Sequence, residues 1–142
     1  MLFPKKVKFR KWHTGRENPK KVTPETRGIT LAFGSYGLKA LGYSRMTSNQ
    51  IESARKVMAR YATKSGKVWV RIFPDRPFTV KPAEVKMGKG KGDPVGFVFP
   101  VYAGRMLFEI DGVDEAVAKE ALRKAGTKLP VKTRIVSRAI LG

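Results

Sequence analysis

The chain has 142 residues, of which 42% are hydrophobic, a size and composition that suit one domain with one core. Thirty Lys and Arg residues face eleven Asp and Glu residues, and the formal net charge of +19 indicates a polyanionic partner, with nucleic acid favoured over an anionic membrane surface. The sequence has no cysteine, which excludes disulfides, zinc ribbons and thiol catalysis, and no apolar run reaches the roughly 20 residues that span a bilayer.

Residues 1–28 are predicted to form a basic, extended arm, because prolines and glycines interrupt them and no helical stripe runs through them. Aromatic rings alternate with cations there, a pattern typical of stacking on unpaired bases, although the same rings would also serve to anchor the arm to the domain. Residues 29–142 are predicted to form a single globular domain. In the arm, the candidate contacts to nucleic acid are Lys5, Lys6, Lys8, Phe9, Arg10, Lys11 and Trp12.

At the start of the domain, a short strand is expected over 29–34 and a second extended segment over 36–41. The clearest helix follows, because Thr47 and Gln50 form a capping-box pattern and apolar residues then recur at helical spacing. Gly66 is placed to end this helix in a left-handed cap. The basic residues that fall off the apolar stripe predict phosphate contacts by Arg55, Lys56 and Arg60.

Alternating residues predict a strand over 67–73 with both faces engaged, and a short strand over 78–81. The segments on either side of residues 103–104 are also rich in β-formers, so these two residues are predicted to be the turn of a hairpin. Pro100 indicates an edge position or a bulge in the first of the two strands.

Asp114 can cap a second amphipathic helix, which is expected to end near Gly126, and a last alternating strand follows over 131–140. The fold class is therefore α+β. We expect two helices packed on a mostly antiparallel sheet as a two-layer sandwich, with the basic arm and a Lys/Gly loop attached.

The sequence KMGKGKGDP begins at residue 86, within a loop predicted over 82–94. Glycines let backbone N–H groups approach a phosphate chain, and alternating lysines supply point charges on both sides. The stretch lacks the Lys-Ser/Thr pair of a Walker loop, and a solvated loop without a partner is the alternative. The candidate contacts here are Lys86, Met87, Gly88, Lys89, Gly90, Lys91 and Gly92.

Catalytic and metal-binding patterns are weak in this sequence. His13 is the only histidine and has no carboxylate nearby in sequence to orient it as a general base. The acidic residues between 109 and 120 fit a turn and a helix cap better than a catalytic pair, and a metal site would need carboxylates alone. We therefore expect no enzymatic activity and no cofactor or metal.

Several stretches occur in the order seen in bacterial large-subunit ribosomal protein sixteen. The most specific is GKVWVRIFPDRPFTVKPAEVKMGKGKG, which is far longer than a chance motif. The others are MLFPKKVKFRKWHTGR, FGSYGLKAL, TSNQIESARKVMAR, GRMLFEIDGV and LPVKTRIV. The chain thus resembles this family, which has archaeal and eukaryotic counterparts, over nearly its whole length.

The resemblance implies a structural constituent of the large ribosomal subunit in the cytoplasm, one that binds 23S rRNA near the peptidyl-transferase centre. It also implies help in positioning aminoacyl-tRNA in the A site and in maturing the subunit, without catalysis of peptide transfer. The implied partners are 23S rRNA, A-site tRNA and neighbouring large-subunit proteins, with no membrane and no small-molecule substrate. Lys86 stands where the family usually has an arginine that some bacteria hydroxylate, so that modification is not carried over.

Two other classes of function stay open at this point. A general nucleic-acid binder of the chromatin or cold-shock kind would bind DNA and RNA alike, with strong salt dependence. A membrane-active cationic protein would use residues 1–16 to bind vesicles, although that segment shows no helical apolar stripe. An organellar ribosome is a variant of the ribosomal interpretation.

Overall fold

A computed structural model describes residues 24–25, 27–62, 65–80 and 93–138 of the chain. Over these ranges the chain forms seven strands and two helices. In chain order the elements are β1 (Tyr36–Ala40), β2 (Ser44–Thr47), α1 (Ser48–Ala62), β3 (Lys67–Val70), β4 (Arg76–Val80), β5 (Asp93–Val101), β6 (Met106–Asp111), α2 (Glu115–Gly126) and β7 (Thr133–Ser137). The predicted α+β class with two helices is confirmed.

The strands form two sheets, and every pairing between them is antiparallel. The four-stranded sheet has the order β3-β6-β1-β7 and the three-stranded sheet the order β2-β5-β4. The strand predicted over 67–73 ends at Val70, with one further backbone hydrogen bond at Arg71, and the strand expected over 78–81 begins at Arg76. The last strand is likewise shorter than the stretch 131–140 that was predicted.

The predicted hairpin around residues 103–104 is wrong, although the turn itself forms. The Arg105 N–H donates to the Tyr102 carbonyl at 3.2 Å, and Gly104 has a φ of +100°. The strands on either side belong to different sheets, because β6 is already paired on both edges, with β1 and β3, while β5 pairs with β2 and β4. The turn therefore passes the chain from one sheet to the other.

Both helices bury the apolar stripes that the sequence predicted. α1 contributes Ile51, Ala54, Met58 and Ala62 to the core, and α2 contributes a row made mostly of alanine, which lets the two helices pack closely. These side chains join β-strand residues in one buried cluster that includes Phe108. The core thus lies between the helix pair and the four-stranded sheet.

The helices begin and end close to the predicted positions, but two of the three predicted caps differ in their interactions. The capping box is confirmed, because the Thr47 N–H donates to Gln50 Oε1 at 2.9 Å and the Gln50 N–H to Thr47 Oγ1 at 3.3 Å. Asp114 occupies the N-cap position of α2 but its side chain makes no cap hydrogen bond. Gly66 does not adopt the predicted left-handed conformation. A Cβ at this position would lie 2.3 Å from the Ala62 carbonyl oxygen, so only glycine allows the backbone to come this close to the end of α1.

The segment over 29–34, predicted to be a strand, is irregular because its N–H groups bind a buried carboxylate. Glu109 on β6 is fully buried, and its Oε1 accepts the N–H groups of Ala32 at 2.9 Å and of Phe33 and Gly34 at 3.0 Å each. The other oxygen forms a salt bridge with Arg71. Residues that bind Glu109 in this way cannot also pair in a sheet.

This set of partners keeps Glu109 ionised inside the core. Burial alone would raise the pKa of Glu109, but the Gly34 N–H, the Arg71 guanidinium and the other two N–H groups outweigh burial and hold the pKa below its ordinary value. The charge is thus compensated by donors from two separate segments of the chain, which it ties to the centre of the four-stranded sheet.

Glu109→Gln should lower the free energy of unfolding by about 3 kcal/mol, because it leaves the Arg71 guanidinium without its carboxylate in a largely buried site. Urea unfolding followed by circular dichroism measures this change. The matched control is Glu115→Gln on α2, whose ion pair with Lys119 spans 2.9 Å between side chains that are more than half exposed. The control should cost no more than about 0.5 kcal/mol, and equal losses would contradict the role of Glu109.

The same variant should change the acid dependence of stability. The pKa of Glu109 is lower in the folded than in the unfolded chain, so its contribution is complete above the ordinary pKa of a glutamate and is lost as pH falls through the folded-state pKa. Glu109→Gln should therefore lose less stability between neutral and acid pH than the unaltered chain does.

Candidate nucleic-acid interface

The three cations predicted on α1 differ in how they are held. Arg55 is half-buried and donates from Nε to Glu52 Oε1 at 3.2 Å, an interaction that lowers the pKa of Glu52 and raises that of Arg55. Lys56 and Arg60 are exposed. Arg55 is therefore partly neutralised within the helix, and Lys56 and Arg60 are better placed to meet a phosphate.

A groove of about 570 Å³ runs between the C-terminal half of α1 and the end of α2. Its walls combine an aromatic ring with cations from both helices and from the turn after α2. The lining residues are Val57, Arg60, Tyr61, Arg123, Lys124, Thr127 and Lys128. The helix pair thus brings Arg60 next to three basic residues that are more than sixty positions away in the sequence.

The cations of this groove are not equally available to a ligand. Arg123 donates to both oxygens of Glu120, at 3.1 and 2.6 Å, and this pairing raises the pKa of Arg123. The Lys124 Nζ lies 5.4 Å from the centre of the Tyr61 ring, and a hydrogen bond with the Tyr61 side chain raises the pKa of Lys124. Lys124 therefore stays charged while facing the groove.

Arg60, Lys124 and Lys128 remain as cations that make no carboxylate hydrogen bond to the described part of the chain. Two of these three cations are lysines, which bind phosphate as point charges and do not read base edges. The open groove can accordingly hold a stretch of phosphodiester backbone, with Tyr61 as a polar and aromatic wall. Its chemistry suits binding of a polyanion independently of base sequence.

Sequence reasoning missed the contribution of α2. The acids between 109 and 120 suggest an ordinary surface for the C-terminal third, and cations in the last turn of a helix are expected to offset its dipole. Nothing in the one-dimensional pattern shows that Lys124 and Lys128 face Arg60. The available signal was the run of cations at 123, 124 and 128 without a compensating acid after Glu120.

The remaining predicted contacts lie outside the described residues. They are Lys5, Lys6, Lys8, Phe9, Arg10, Lys11 and Trp12 of the arm, and Lys86, Met87, Gly88, Lys89, Gly90, Lys91 and Gly92 of the loop. What the structure does describe is the pair of strands from which the Lys/Gly loop leaves. Val80 at the end of β4 pairs with Asp93 at the start of β5, so the loop starts and ends at adjacent points of one sheet.

Comparison with known proteins decides the family. The sequence model of ribosomal protein L16p/L10e matches residues 4–136. The chain belongs to the ribosomal protein L16p/L10e family. A large ribosomal subunit protein uL16 of Parabacteroides distasonis is 56% identical over 138 residues, covering 97% of this chain and 93% of that protein. Another uL16, of Rhodopseudomonas palustris, is 54% identical over 138 residues, covering 97% of this chain and 98% of that protein.

Membership in the L16p/L10e family confirms the resemblance derived from the sequence motifs. The matched range includes α1, the Lys/Gly loop and the cations that line the groove. Within the described ranges, no helix has the length and apolar character needed to cross a membrane. The same ranges contain no group of three or more His, Cys, Asp or Glu side chains arranged to hold a metal ion.

Removing the two lysines of the groove should weaken binding to RNA and reduce its salt dependence. For Lys124→Gln/Lys128→Gln we expect the slope of log affinity against log salt concentration to fall by about 1.4, because each lost contact to single-stranded RNA accounts for about 0.7. Fluorescence anisotropy with a labelled 20-nucleotide oligouridylate at several salt concentrations measures this slope.

The control for this experiment is Lys67→Gln/Lys132→Gln, which removes the same charge from two exposed positions that do not line the groove. Its slope should stay closer to that of the unaltered chain. If the two double variants have equal slopes and affinities, the chain binds RNA through its overall charge and the groove has no special role.

Proposed function

We propose that this chain is a structural constituent of the large ribosomal subunit that binds 23S rRNA near the peptidyl-transferase centre. In this role it helps to position aminoacyl-tRNA in the A site and to mature the subunit, and it catalyses no reaction. Support comes from the names of its curated relatives, which are large-subunit proteins, and from its net charge of +19. A charge of this size repels itself in a compact chain unless a polyanion neutralises it.

The structural observation that carries the proposal is the groove between α1 and α2. Arg60, Lys124 and Lys128 converge there from distant parts of the sequence. Two helices fixed by an alanine-rich contact hold these cations at constant spacing, as a folded RNA backbone requires. A second set of contacts would come from the arm and the Lys/Gly loop, with Phe9 and Trp12 stacking on bases.

Ultraviolet crosslinking in cells tests the proposal directly. After irradiation, the attached RNA is sequenced and the crosslinked peptides are identified by mass spectrometry. We expect large-subunit rRNA to dominate, with crosslinked peptides from residues 1–16 and 86–92 and a minor fraction of tRNA. Crosslinks spread over many transcripts without ribosomal enrichment would instead indicate a general nucleic-acid binder.

Gly90→Val should disturb assembly of the subunit or accommodation of tRNA more than it disturbs folding. The proposal places Gly90 against a nucleic-acid backbone, where a branched side chain would obstruct the approach. The measurements are the sedimentation profile of ribosomal particles, the rate of tRNA accommodation and the melting temperature of the purified chain.

Gly42→Val provides the matched control, because a Cβ at this position meets only the Val131 side chain, at an ordinary distance of 3.5 Å. We expect normal particles with this variant. Unchanged particles and unchanged accommodation with Gly90→Val would show that the loop does not need to be thin at this position.

A further inference from the structure

Phe33 is the most exposed large apolar residue in the described part of the chain, with 56% of the residue's surface accessible. Its ring stacks on Trp69, with 5.9 Å between ring centres and an angle of 18° between planes. The Arg71 guanidinium carbon lies 5.4 Å from the centre of the same ring. A large aromatic ring is therefore fixed at the surface and backed by a second ring and a cation.

Phe33 exposes 56% of its surface, more than its backbone alone could account for, so part of its ring faces solvent. Trp69 and Arg71 are two positions apart, in and just after β3, so their side chains project to the same side of the strand. The ladder continues through Arg71, whose N–H donates to the Leu107 carbonyl at 2.9 Å. Both neighbours thus come from the same side of one strand, and the part of the ring that they leave uncovered accounts for the exposure of Phe33.

The ring is held in place by the backbone beneath it. The Phe33 N–H donates to Glu109 at 3.0 Å, and its neighbours Ala32 and Gly34 donate to the same oxygen. Arg71 in turn bonds to the Thr30 carbonyl at 3.2 Å and to Glu109. A ligand that meets Phe33 does not have to pay for ordering the segment, because the fold has already ordered it.

A purely structural role explains only part of this arrangement. A side chain at position 33 helps to shield the Arg71–Glu109 ion pair from water, and an aliphatic residue of similar size would do so equally well. Shielding does not require a near-parallel stack on Trp69, nor that more than half of the residue's surface be exposed. A flat, rigid and solvent-facing ring has the geometry of a surface on which another planar group stacks.

We propose that the solvent-facing part of the Phe33 ring is a stacking platform for an unpaired nucleobase of the RNA that this chain binds. The inference rests on the proposed function, and it adds a binding residue outside the arm, the loop and the basic groove. The net charge of +19 recruits a nucleic acid, and the planar group that a nucleic acid presents to an exposed ring is a base. Because every base has a π-face, the platform favours unpaired nucleotides without selecting a particular one.

The test compares two probes of equal charge, a 12-nucleotide oligoadenylate and a 12-unit abasic ribose-phosphate chain. The dissociation constant of the abasic chain divided by that of the oligoadenylate measures how much the bases contribute to binding by the full chain. Phe33→Leu should lower this ratio by about fivefold or more, the effect expected from losing one base–aromatic stack. Phe33→Tyr keeps a ring and should preserve the ratio. Phe73→Leu, the same change at a phenylalanine that is 41% exposed, is the matched control.

Stacking by Phe9 and Trp12 does not confuse the result, because the arm is the same in all variants. Thermal unfolding of each variant guards against a loss caused by misfolding. If Phe33→Leu does not fold, Phe33→Tyr and irradiation of the unaltered complex at 254 nm decide, and a base crosslinked to residue 33 supports the platform. The platform is overturned if Phe33→Leu and Phe73→Leu have equal ratios. It is also overturned if Phe33→Tyr lowers the ratio as much as Phe33→Leu does.

The proposed function has a separate measurement, co-sedimentation of the unaltered chain with large ribosomal subunits. A chain that sediments with subunits but shows no effect of Phe33→Leu on the ratio overturns the platform alone. A chain that does not sediment with subunits overturns the proposed ribosomal role, whatever the ratio shows.

Discussion

The described structure depends on one buried carboxylate. Glu109 lies on an inner strand between the buried residues Phe108 and Ile110, and an unpaired charge at that place would be strongly destabilising. Its donors come from the irregular segment before β1 and from Arg71 after β3. A single side chain thus fixes the entry of the chain into the domain and the end of an edge strand. The exposed aromatic surface at Phe33 exists because this carboxylate holds its backbone.

The elements that could be predicted from the sequence are those governed by local chemistry. The capping box at Thr47 and the apolar stripes of both helices depend on residues within one or two turns, and the structure confirms them. The division into two sheets could not be predicted, because the pattern on either side of Gly104 is the same for a hairpin and for a crossing between sheets. The irregular path over 29–34 was equally hidden, since it depends on a glutamate about 75 residues away in sequence.

The residues of the candidate site also differ in whether local sequence or tertiary packing places them there. Arg60 was expected from its position opposite the apolar stripe of α1, and it does lie in the basic groove. Lys124 and Lys128 enter the groove only through the packing of two helices, and Phe33 becomes a platform only through contacts with Trp69 and Arg71. Helical periodicity indicates which face a cation occupies but not which other element that face will meet.

Because Val80 pairs with Asp93, the length of the Lys/Gly loop can change without changing the stability of the domain that carries it. Neighbouring strands lie about 5 Å apart, so the two ends of the loop are fixed at that distance whatever the number of residues between them. Residues could be gained or lost between these ends without a shift in the register of β4 against β5, and closing a somewhat longer loop costs little extra entropy. In evolution, the depth to which such a loop projects can therefore be adjusted without changing the domain that carries it.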